Sequence, residues 1–278
     1  MLPSDGHVHS EWSWDAFEGS MERTCRRVVA LGLPSVAFTE HADFTPWQLG
    51  HGAQVPQQWH ALVVDGVLSP PALDLDGYLA CLDACRARHP ELRILSGVEL
   101  SEPHWHTACT TALLDAGRFE RVLASVHSAP TADGAGFTEV SARFGDQEPG
   151  EVVRGYLAET ARLVAEFDAF EVLAHLDYPV RYWPATGTPY DPLDFAEEYR
   201  HVLRGLAAAG KVLELNTRVP LGRQVLEWWY EEGGTALAFG SDAHDPGGPG
   251  RGFREAARTA RAAGFRPWRD PYDFWRRA

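Results

Sequence analysis

Short apolar runs alternate along the chain with longer segments in which apolar residues recur at helical spacing. Tyr156, Leu157 and Leu163, for example, follow the fourth run at such a spacing. Continuous runs such as VLASV and ALAF are typical of strands buried on both faces of a parallel sheet. Seven runs occur, in chain order DGHVHS, PSVAFTEH, LRILSGVEL, RVLASVHS, AFEVLAHLD, KVLELNT and TALAFGSDAH. This alternation predicts repeated βα units and a mostly parallel sheet of the α/β class.

Two regions interrupt the alternation. Residues 45–76 and residues 129–149 contain several Pro and Gly and little periodicity. We expect both to be long loop insertions, the first of them a candidate lid, because long irregular connections inside a compact domain tend to be functional. The chain has 278 residues, close to the roughly 250 of a single α/β barrel. The hypothesis is therefore one barrel domain over residues 1–278.

Composition and charge exclude several classes of protein. The net charge of −14 would repel long nucleic acid, since no basic block offsets it. No stretch approaches the roughly 18 apolar residues of a membrane span, and the first residues lack the features of a secretory signal. The four cysteines show no paired zinc-ribbon spacing and are interpreted as free thiols. We expect a cytoplasmic protein without a membrane partner.

Polar side chains with metal-binding chemistry occur where the apolar runs end. In a parallel barrel these ends face one mouth, so the side chains would converge there. Imidazoles and carboxylates without cysteine suit zinc, iron or manganese, and they would be costly to bury unpaired. The residues are His7, His9, His41, Glu99, His127, His175, Asp242 and His244.

Each of these residues alone has an ordinary explanation. His41 could cap a helix, His127 could be a core histidine, and Glu99 could be a solvated strand end. His7 and His9 are two apart and point the same way on a strand, a pattern that also arises by chance. Their joint placement at successive strand ends favours a site with several metal ions.

The ordered set of motifs DGHVHS, FTEHAD, GVEL, SVHS, AHLDYP, ELNT and GSDAH resembles the PHP (polymerase and histidinol phosphatase) family of metal-dependent phosphoesterases, in its histidinol-phosphatase-like branch. The resemblance implies a distorted, TIM-like (β/α)7 barrel and three divalent ions, either zinc, iron or manganese. It implies that His7, His9, Glu99 and Asp242 bind the first ion, Glu99, His127 and His175 the second, and Asp15, His41 and His244 the third.

Asp15 departs from the family pattern, because this position is often histidine in relatives. Aspartate remains a competent ligand for such metals, so the metal's identity and the occupancy of the third site stay open. Metal ions would lower the pKa of a bridging water and clamp the attacked phosphate. Glu99, Asp242 and His244 are the expected catalytic residues. The proton for the leaving group could come from His244, a water on the metal or the 45–76 insertion.

Arginines near two strand ends are the candidate phosphate ligands. The guanidinium fork suits a phosphate dianion, and in the histidinol-phosphatase-like branch arginines after these strands look like phosphate ligands. The candidates here are Arg181, Arg218 and Arg223. The alternative for each is an ordinary surface ion pair, most readily for Arg223.

The resemblance implies a histidinol-phosphatase of histidine biosynthesis that acts on a small phosphorylated metabolite. One alternative is a PHP phosphodiesterase or nuclease-like hydrolase of a nucleotide or cyclic phosphate, for which two metals suffice. The other is a non-catalytic domain, which the full set of ligands disfavours. The aromatic residues Phe44, Trp47 and Trp59 of the first insertion are available to pack on a substrate ring. The oligomeric state stays open.

Overall fold

The computed structural model describes residues 2–50, 55–219 and 221–278. Helices and strands alternate along most of this part of the chain. Its strands are β1 (Asp5–Val8), β2 (Ser35–Ala42), β3 (Trp47–Gln48), β4 (Val63–Val64), β5 (Val67–Leu68), β6 (Arg93–Ser101), β7 (Arg121–Ser125), β8 (Ser128–Pro130), β9 (Phe137–Glu139), β10 (Val172–Leu173), β11 (Val212–Asn216), β12 (Ala236–Gly240), β13 (Phe265–Arg266) and β14 (Trp275–Arg277).

Helices follow most strands of the main sheet. The α-helices are α1 (Met21–Leu31), α2 (Leu75–Arg88), α3 (Thr107–Ala116), α4 (Pro149–Glu166), α5 (Ala196–Ala208), α6 (Arg223–Glu231) and α7 (Phe253–Ala262). Short 3-10 helices span Gln57–Leu62, Val140–Gly145, Tyr178–Tyr182 and Pro192–Phe195. In the described part of the chain, none of the helices has both the length and the apolarity needed to cross a membrane.

The main sheet has nine strands in the order β1-β2-β6-β7-β10-β11-β12-β14-β13. The first seven are parallel to their neighbours, and the longest pairing aligns all of β2 with β6, from Ser35 opposite Arg93 to Ala42 opposite Leu100. This confirms the predicted α/β class and the mostly parallel sheet. The antiparallel pair β13 and β14 at the end of the chain was not predicted, because its short, arginine-containing segments lack an apolar run.

The sheet curls until its first strand meets the segment after β12. The His9 amide donates to the Ala243 carbonyl at 2.9 Å, and the Asp242 amide donates to the His7 carbonyl at 2.9 Å. The buried Asp5 carboxylate reinforces this seam by accepting hydrogen bonds from the backbone amides of Ser241 and Gly250, both at 2.9 Å. These backbone hydrogen bonds and the Asp5 carboxylate thus join β1 to the segment after β12, and they close the parallel sheet into a distorted barrel.

Helix packing follows the apolar spacing in the sequence. Helix α4 is the longest of the described helices, and its buried residues recur every three or four positions, as Tyr156, Thr160 and Leu163 do. Burying one such leucine contributes roughly 1.5–3 kcal/mol. The barrel interior is filled by a smaller apolar cluster of short side chains, comprising Leu123, Val172, Ala174, Val212, Ala236 and Ala238. The outer helices and this inner cluster hold the strand ends in place.

The two insertions contain more regular structure than predicted. In residues 45–76, strands β3, β5 and β4 form a small antiparallel sheet, and α2 already begins at Leu75. Asp65 and Gly66 form the turn between β4 and β5, and both have positive φ (50° and 77°), as a two-residue Asp-Gly hairpin requires. That dipeptide between two valine-rich pairs was the signal in the sequence. Residues 51–54 of this insertion lie outside the described residues.

The second insertion, residues 129–149, contains the hairpin of β8 and β9, which starts at Ser128, and then a 3-10 helix. Strand β3 of the first insertion packs against β9 of the second. The approach is close at Gly136, where a Cβ atom would lie only 2.3 Å from Nε2 of Gln48. The two insertions therefore meet each other above the carboxyl ends of the parallel strands.

Candidate metal centre

All nine predicted metal-binding residues lie at the carboxyl end of the parallel strands. Seven of them are almost fully buried, whereas the side chains of Asp15 and His244 are 21% and 22% exposed. We call this cluster the floor of the site. The floor consists of His7 in β1, His9 and Asp15 after β1, His41 in β2, Glu99 in β6, His127 after β7, His175 after β10, and Asp242 and His244 after β12.

Glu99 lies at the centre of the floor, with its two carboxylate oxygens facing different histidines. Its Oε2 is 3.1 Å from Nε2 of His7 and 3.4 Å from Nε2 of His9. Its Oε1 is 2.7 Å from Nε2 of His175 and 3.4 Å from Nε2 of His127. This division is the geometry expected of a carboxylate that bridges two metal ions.

A third group forms around His41 at the cavity side of the floor. Oδ2 of Asp15 is 3.5 Å from Nε2 of His41 and 3.2 Å from Nε2 of His244. The ring of His9 lies between those of His41 and His244, with ring centroids 4.1 and 4.3 Å apart. The structure thus brings Asp15 together with the two residues predicted to share its metal ion.

Asp242 joins the floor to a cationic side chain. Its Oδ1 is 3.8 Å from Nε2 of His7 and 3.5 Å from Nε2 of His9, while its Oδ2 forms an ion pair with Arg181 at 2.6 Å. The backbone of Asp242 has a φ of 53°, a conformation that is uncommon for residues other than glycine and that recurs at functional sites as well as in turns.

Buried acids that the sequence analysis missed orient the histidines. Oε1 of Glu214 accepts from Nδ1 of His7 at 2.8 Å, and its Oε2 accepts from the His175 amide at 2.8 Å. A Cβ atom at Gly240 would lie 1.9 Å from Oε1 of Glu214, so only glycine leaves room for this carboxylate. The signal in the sequence was an acid in the middle of the apolar run KVLELNT.

A second such acid, Glu40, fixes the tautomer of His9. The Ser13 hydroxyl donates to Oε2 of Glu40 at 2.6 Å, and therefore it accepts from Nδ1 of His9 at 3.0 Å. The proton of His9 is thus on Nδ1, and the Nε2 lone pair points into the floor. Burial and the nearby His41 and His244 hold the pKa of His9 well below its usual value, which keeps the ring neutral.

The donor atoms around His7, His9, Glu99 and Asp242 are the test of whether the floor fits metal ions. Although burial opposes ionisation, His7 and other imidazoles hold the pKa of Glu99 well below its usual range, and Arg181 and His7 do the same for Asp242. Nε2 of His7, Nε2 of His9, Oε2 of Glu99 and Oδ1 of Asp242 therefore share at most one proton, on His7. The atoms of His9, Glu99 and Asp242 offer free lone pairs, and Nε2 of His7 would offer a fourth once a cation displaced its proton, so these buried atoms form a donor set that fits a cation.

The other parts of the floor offer similar donor sets. Groups of three ligand atoms lie within 4.8 Å of one another in four combinations. These are His9, His41 and His244; His7, His9 and Asp242; His7, Glu99 and His175; and His41, Asp43 and His127. Asp43, which was not among the predicted ligands, accepts a hydrogen bond from Nε1 of Trp14 at 2.7 Å. These overlapping groups are candidate positions for metal ions.

The three predicted phosphate-binding arginines lie in different surroundings. Arg181 is 9% exposed, lines the cavity and pairs with Asp242. Arg218 is half exposed, lines the same cavity, and its Nη1 is 3.9 Å from Asp242. Arg223 instead begins α6, is 66% exposed and pairs with Glu227 at 2.7 Å. The structure does not bring Arg223 to the site, because the helix directs it outward.

A cavity of about 520 Å³ opens above the floor, a size that suits a small-molecule ligand. Trp14 from the β1–α1 loop forms part of its wall, 5.1 Å from the ring of Trp59. Phe44 does not line it and packs against His106 instead. We call the lining residues from the two insertions the roof. They are Trp47, Leu49, Gly50, Val55, Trp59, Thr138, Glu139, Ser141 and Ala142.

With this geometry in hand, the chain can be compared with known families. The family model described as the PHP domain matches residues 5–218. The chain belongs to the PHP family. The match spans six of the seven predicted strand ends and confirms the resemblance found in the sequence motifs.

Relatives of this PHP protein carry consistent names. The "Histidinol-phosphatase" of Lactococcus lactis is 25% identical over 274 residues, which cover 95% of this chain and 93% of that protein. The "Probable histidinol-phosphatase" of Thermotoga maritima is 26% identical over 269 residues, covering 94% of this chain and 92% of that one.

Solved structures confirm the PHP fold. The crystal structure of histidinol phosphate phosphatase from Lactococcus lactis, complexed with zinc, L-histidinol and phosphate, superposes with a TM-score of 0.80 at 24% identity, covering 98% of both chains. A putative histidinol phosphatase from Listeria monocytogenes gives a TM-score of 0.72 at 17% identity, covering 91% of this chain and 99% of that one.

Proposed function

We propose that this PHP protein is a metal-dependent histidinol-phosphatase, which hydrolyses L-histidinol phosphate to L-histidinol and phosphate in histidine biosynthesis. The observation that carries the proposal is the group formed by His7, His9, Glu99 and Asp242, whose imidazole and carboxylate ligand atoms converge in a buried pocket. The names of the relatives supply the substrate. The cavity is large enough for this metabolite and is bordered by a buried arginine, Arg181.

The proposed site holds three divalent ions. When bound, the ions supply a deprotonated water at neutral pH and neutralise charge on the phosphate. Zinc is named with the Lactococcus structure, and imidazole and carboxylate donors suit iron and manganese as well. The proposed ligands are His7, His9, Glu99 and Asp242 for the first ion, Glu99, His127 and His175 for the second, and Asp15, His41 and His244 for the third.

The protein's own groups bind and orient the phosphate. Asp242 forms an ion pair with Arg181 and so holds its guanidinium along the cavity wall, where the fork can donate to two phosphate oxygens. Arg218, at the more exposed side of the cavity, adds a second cation. Glu99, Asp242 and His244 are the proposed catalytic residues, since Glu99 joins two halves of the floor and the other two line the cavity.

The test is phosphate release from L-histidinol phosphate by purified, metal-loaded protein. We expect turnover that stops after treatment with a chelator and returns when zinc or manganese is added back. The variant His9→Ala should be inactive, whereas His201→Ala, which changes an exposed histidine of α5, should retain full activity. Metal-loaded protein that released no phosphate from L-histidinol phosphate would contradict the proposal.

The alternative PHP activity is hydrolysis of phosphate diesters. A comparison of diester and monoester turnover distinguishes it from the histidinol-phosphatase activity. Turnover of bis-p-nitrophenyl phosphate is measured beside that of L-histidinol phosphate with the same metal-loaded preparation. A monoester dianion gains more from Arg181 and Arg218 than a diester monoanion, so we expect faster monoester turnover. Faster diester turnover would assign the chain to the phosphodiesterase branch.

A further inference from the structure

One carboxylate in the cavity has no part in the proposed metal site. Among the described residues that line the cavity, the acids are Asp15, Asp43, Glu139 and Asp242. Asp15 and Asp242 belong to the floor, and Asp43 lies 3.9 Å from a ring nitrogen of both His41 and His127. Glu139 is the remaining acid, and it belongs to the roof.

Glu139 is held by hydroxyl groups and lacks a cationic partner in the described part of the chain. It accepts a hydrogen bond from the Tyr178 hydroxyl at 2.7 Å and another from the Ser141 hydroxyl. No arginine, lysine or histidine of the described residues forms an ion pair with it, although it is only partly exposed. Each carboxylate oxygen still has a lone pair for another donor. The carboxylate is therefore oriented but not neutralised.

We propose that Glu139 binds an ammonium group of the substrate, so that the site selects phosphate monoesters with an amine close to the phosphate. The proposal rests on the proposed phosphatase function and deepens it. It assigns substrate choice to a residue of the second insertion, which supplies none of the proposed metal ligands.

The position of Tyr178 relates this carboxylate to the phosphate-binding arginine. The guanidinium of Arg181 lies over the Tyr178 ring, 4.9 Å from its centroid, and the hydroxyl at the far end of the same side chain donates to Glu139. A cationic group and an anionic group thus lie at opposite ends of one tyrosine. This arrangement is complementary to a small molecule with a phosphate at one end and an ammonium a few bonds away.

L-histidinol phosphate has this pattern, because its amine is on the carbon next to the one that bears the phosphate ester. The cavity also strengthens the proposed ion pair between Glu139 and the ammonium group. A charge pair inside a partly enclosed cavity is screened less than one on the surface. An ammonium placed near Glu139 would therefore contribute more to binding than the same group would at an exposed acid such as Asp133.

The experiment measures binding rather than turnover. Metal-loaded protein is titrated calorimetrically with L-histidinol and with its deamino analogue, 3-(imidazol-4-yl)propan-1-ol, above the ordinary imidazole pKa of about 6.5. We expect wild type to bind L-histidinol roughly 10- to 100-fold more tightly, the range for one charged hydrogen bond. Glu139→Gln should lose this preference and bind the deamino analogue as wild type does.

The matched control is Asp133→Asn, at the exposed tip of the same hairpin. Asp133 accepts from Thr131 and the Ala135 amide through one oxygen, which asparagine retains. This variant should keep the wild-type preference. A Glu139→Gln protein that still preferred L-histidinol, or a wild type without any preference, would overturn the proposal. Weaker binding of both ligands by Glu139→Gln would also overturn it, because that result indicates a structural role.

A second measurement needs no variant. In wild type, added salt should reduce the preference for L-histidinol and leave binding of the deamino analogue unchanged, because only the first includes the charge pair. A preference that salt did not change would count against Glu139. A protein that preferred the amine but released no phosphate from any monoester would contradict the phosphatase function and leave the ammonium site standing.

Discussion

The floor and the roof of the cavity are built by different means. Floor residues come from six strand ends, and the hydrogen-bond ladder of the parallel sheet fixes the strands that contain or precede them. Roof residues come from two insertions, which touch through the short strands β3 and β9. The difference indicates a division of labour, in which the barrel holds the reactive groups and the loops contact the variable part of the substrate.

The floor also contains residues with unfavourable backbone conformations, which the described lining residues of the roof do not have. The floor residues Asp242 and His175 have positive φ values of 53° and 21°, and the buried Glu102 has one of 43°. Glu102 accepts hydrogen bonds from the amides of His127 and Ser128, at 2.6 and 2.8 Å, which offsets part of its burial. A rigid sheet tolerates such strain because its strands are fixed on both sides. We therefore expect changes in the floor to reduce the rate of the chemical step by orders of magnitude, and changes in the roof to affect mainly substrate binding.

The largest effect is expected at Glu99. Replacing it with glutamine removes the charge that faces two histidine pairs, so the floor loses its bridging ligand. We expect activity to fall by at least about a thousandfold, which corresponds to roughly 4 kcal/mol of transition-state stabilisation. Elemental analysis should find fewer ions per chain, and circular dichroism should be unchanged. A Glu99→Gln protein with full metal content and wild-type turnover would show that Glu99 does not bridge two metal ions.

Eight of the nine floor residues could be predicted from sequence because they lie where an apolar run ends, whereas Asp15 was predicted only through the family resemblance. Strand ends in a parallel barrel face one mouth, so position alone brings together residues as distant as His7 and His244. The acids Glu40 and Glu214 were missed, although they lie inside the same runs. Their role depends on which imidazole nitrogen they contact, and spacing along the chain does not determine that.

The roof was predicted only as two long connections. Its Asp65-Gly66 hairpin carried a local signal, but the contact between β3 and β9 joins segments about 90 residues apart and has no signature in either. The position of Arg223 relative to the site also depends on structure that its sequence context does not reveal. Its distance from β11 in sequence matched a phosphate ligand, yet α6 starts there and turns the side chain outward.

The next effect in size is expected at Arg181, at the border of floor and roof. Arg181→Lys keeps the charge but loses the fork that pairs with Asp242 and is proposed to bind phosphate. We expect kcat/KM for L-histidinol phosphate to fall about 100-fold, within the range for charged hydrogen bonds. Arg223→Lys is the matched control and should have wild-type kinetics. Equal kinetics for the two variants would mean that Arg181 does not contact the phosphate.

A smaller effect is expected beneath the floor, at Glu214. Glutamine would place an N–H group against either Nδ1 of His7 or the His175 amide, both of which need an acceptor. We expect metal affinity to fall about 10- to 100-fold, with activity partly restored at high metal concentration. A competing chelator measures the affinity, and Glu197→Gln, on the exposed face of α5, is the control. An unchanged metal affinity would show that Glu214 does not help to hold the metal-binding histidines in place.

The smallest effect is expected in the roof, at Trp59. Its ring lies 5.1 Å from that of Trp14 and lines the cavity. Trp59→Ala should raise KM for L-histidinol phosphate about 2- to 10-fold, the range for one aromatic contact, and leave kcat unchanged. Trp59→Phe keeps a ring and should stay close to wild type. Ethanolamine phosphate, which has no imidazole, should not distinguish the three proteins.

The split between kcat and KM is what makes Trp59 informative about the whole molecule. A residue that only packs on the substrate's ring contributes equally to the ground state and the transition state, so its loss appears in KM. If Trp59→Ala lowered kcat as strongly as Arg181→Lys, the roof would be positioning the phosphate as well as the ring. The floor alone would then not account for the chemistry, and closure of the two insertions would be part of the catalytic step.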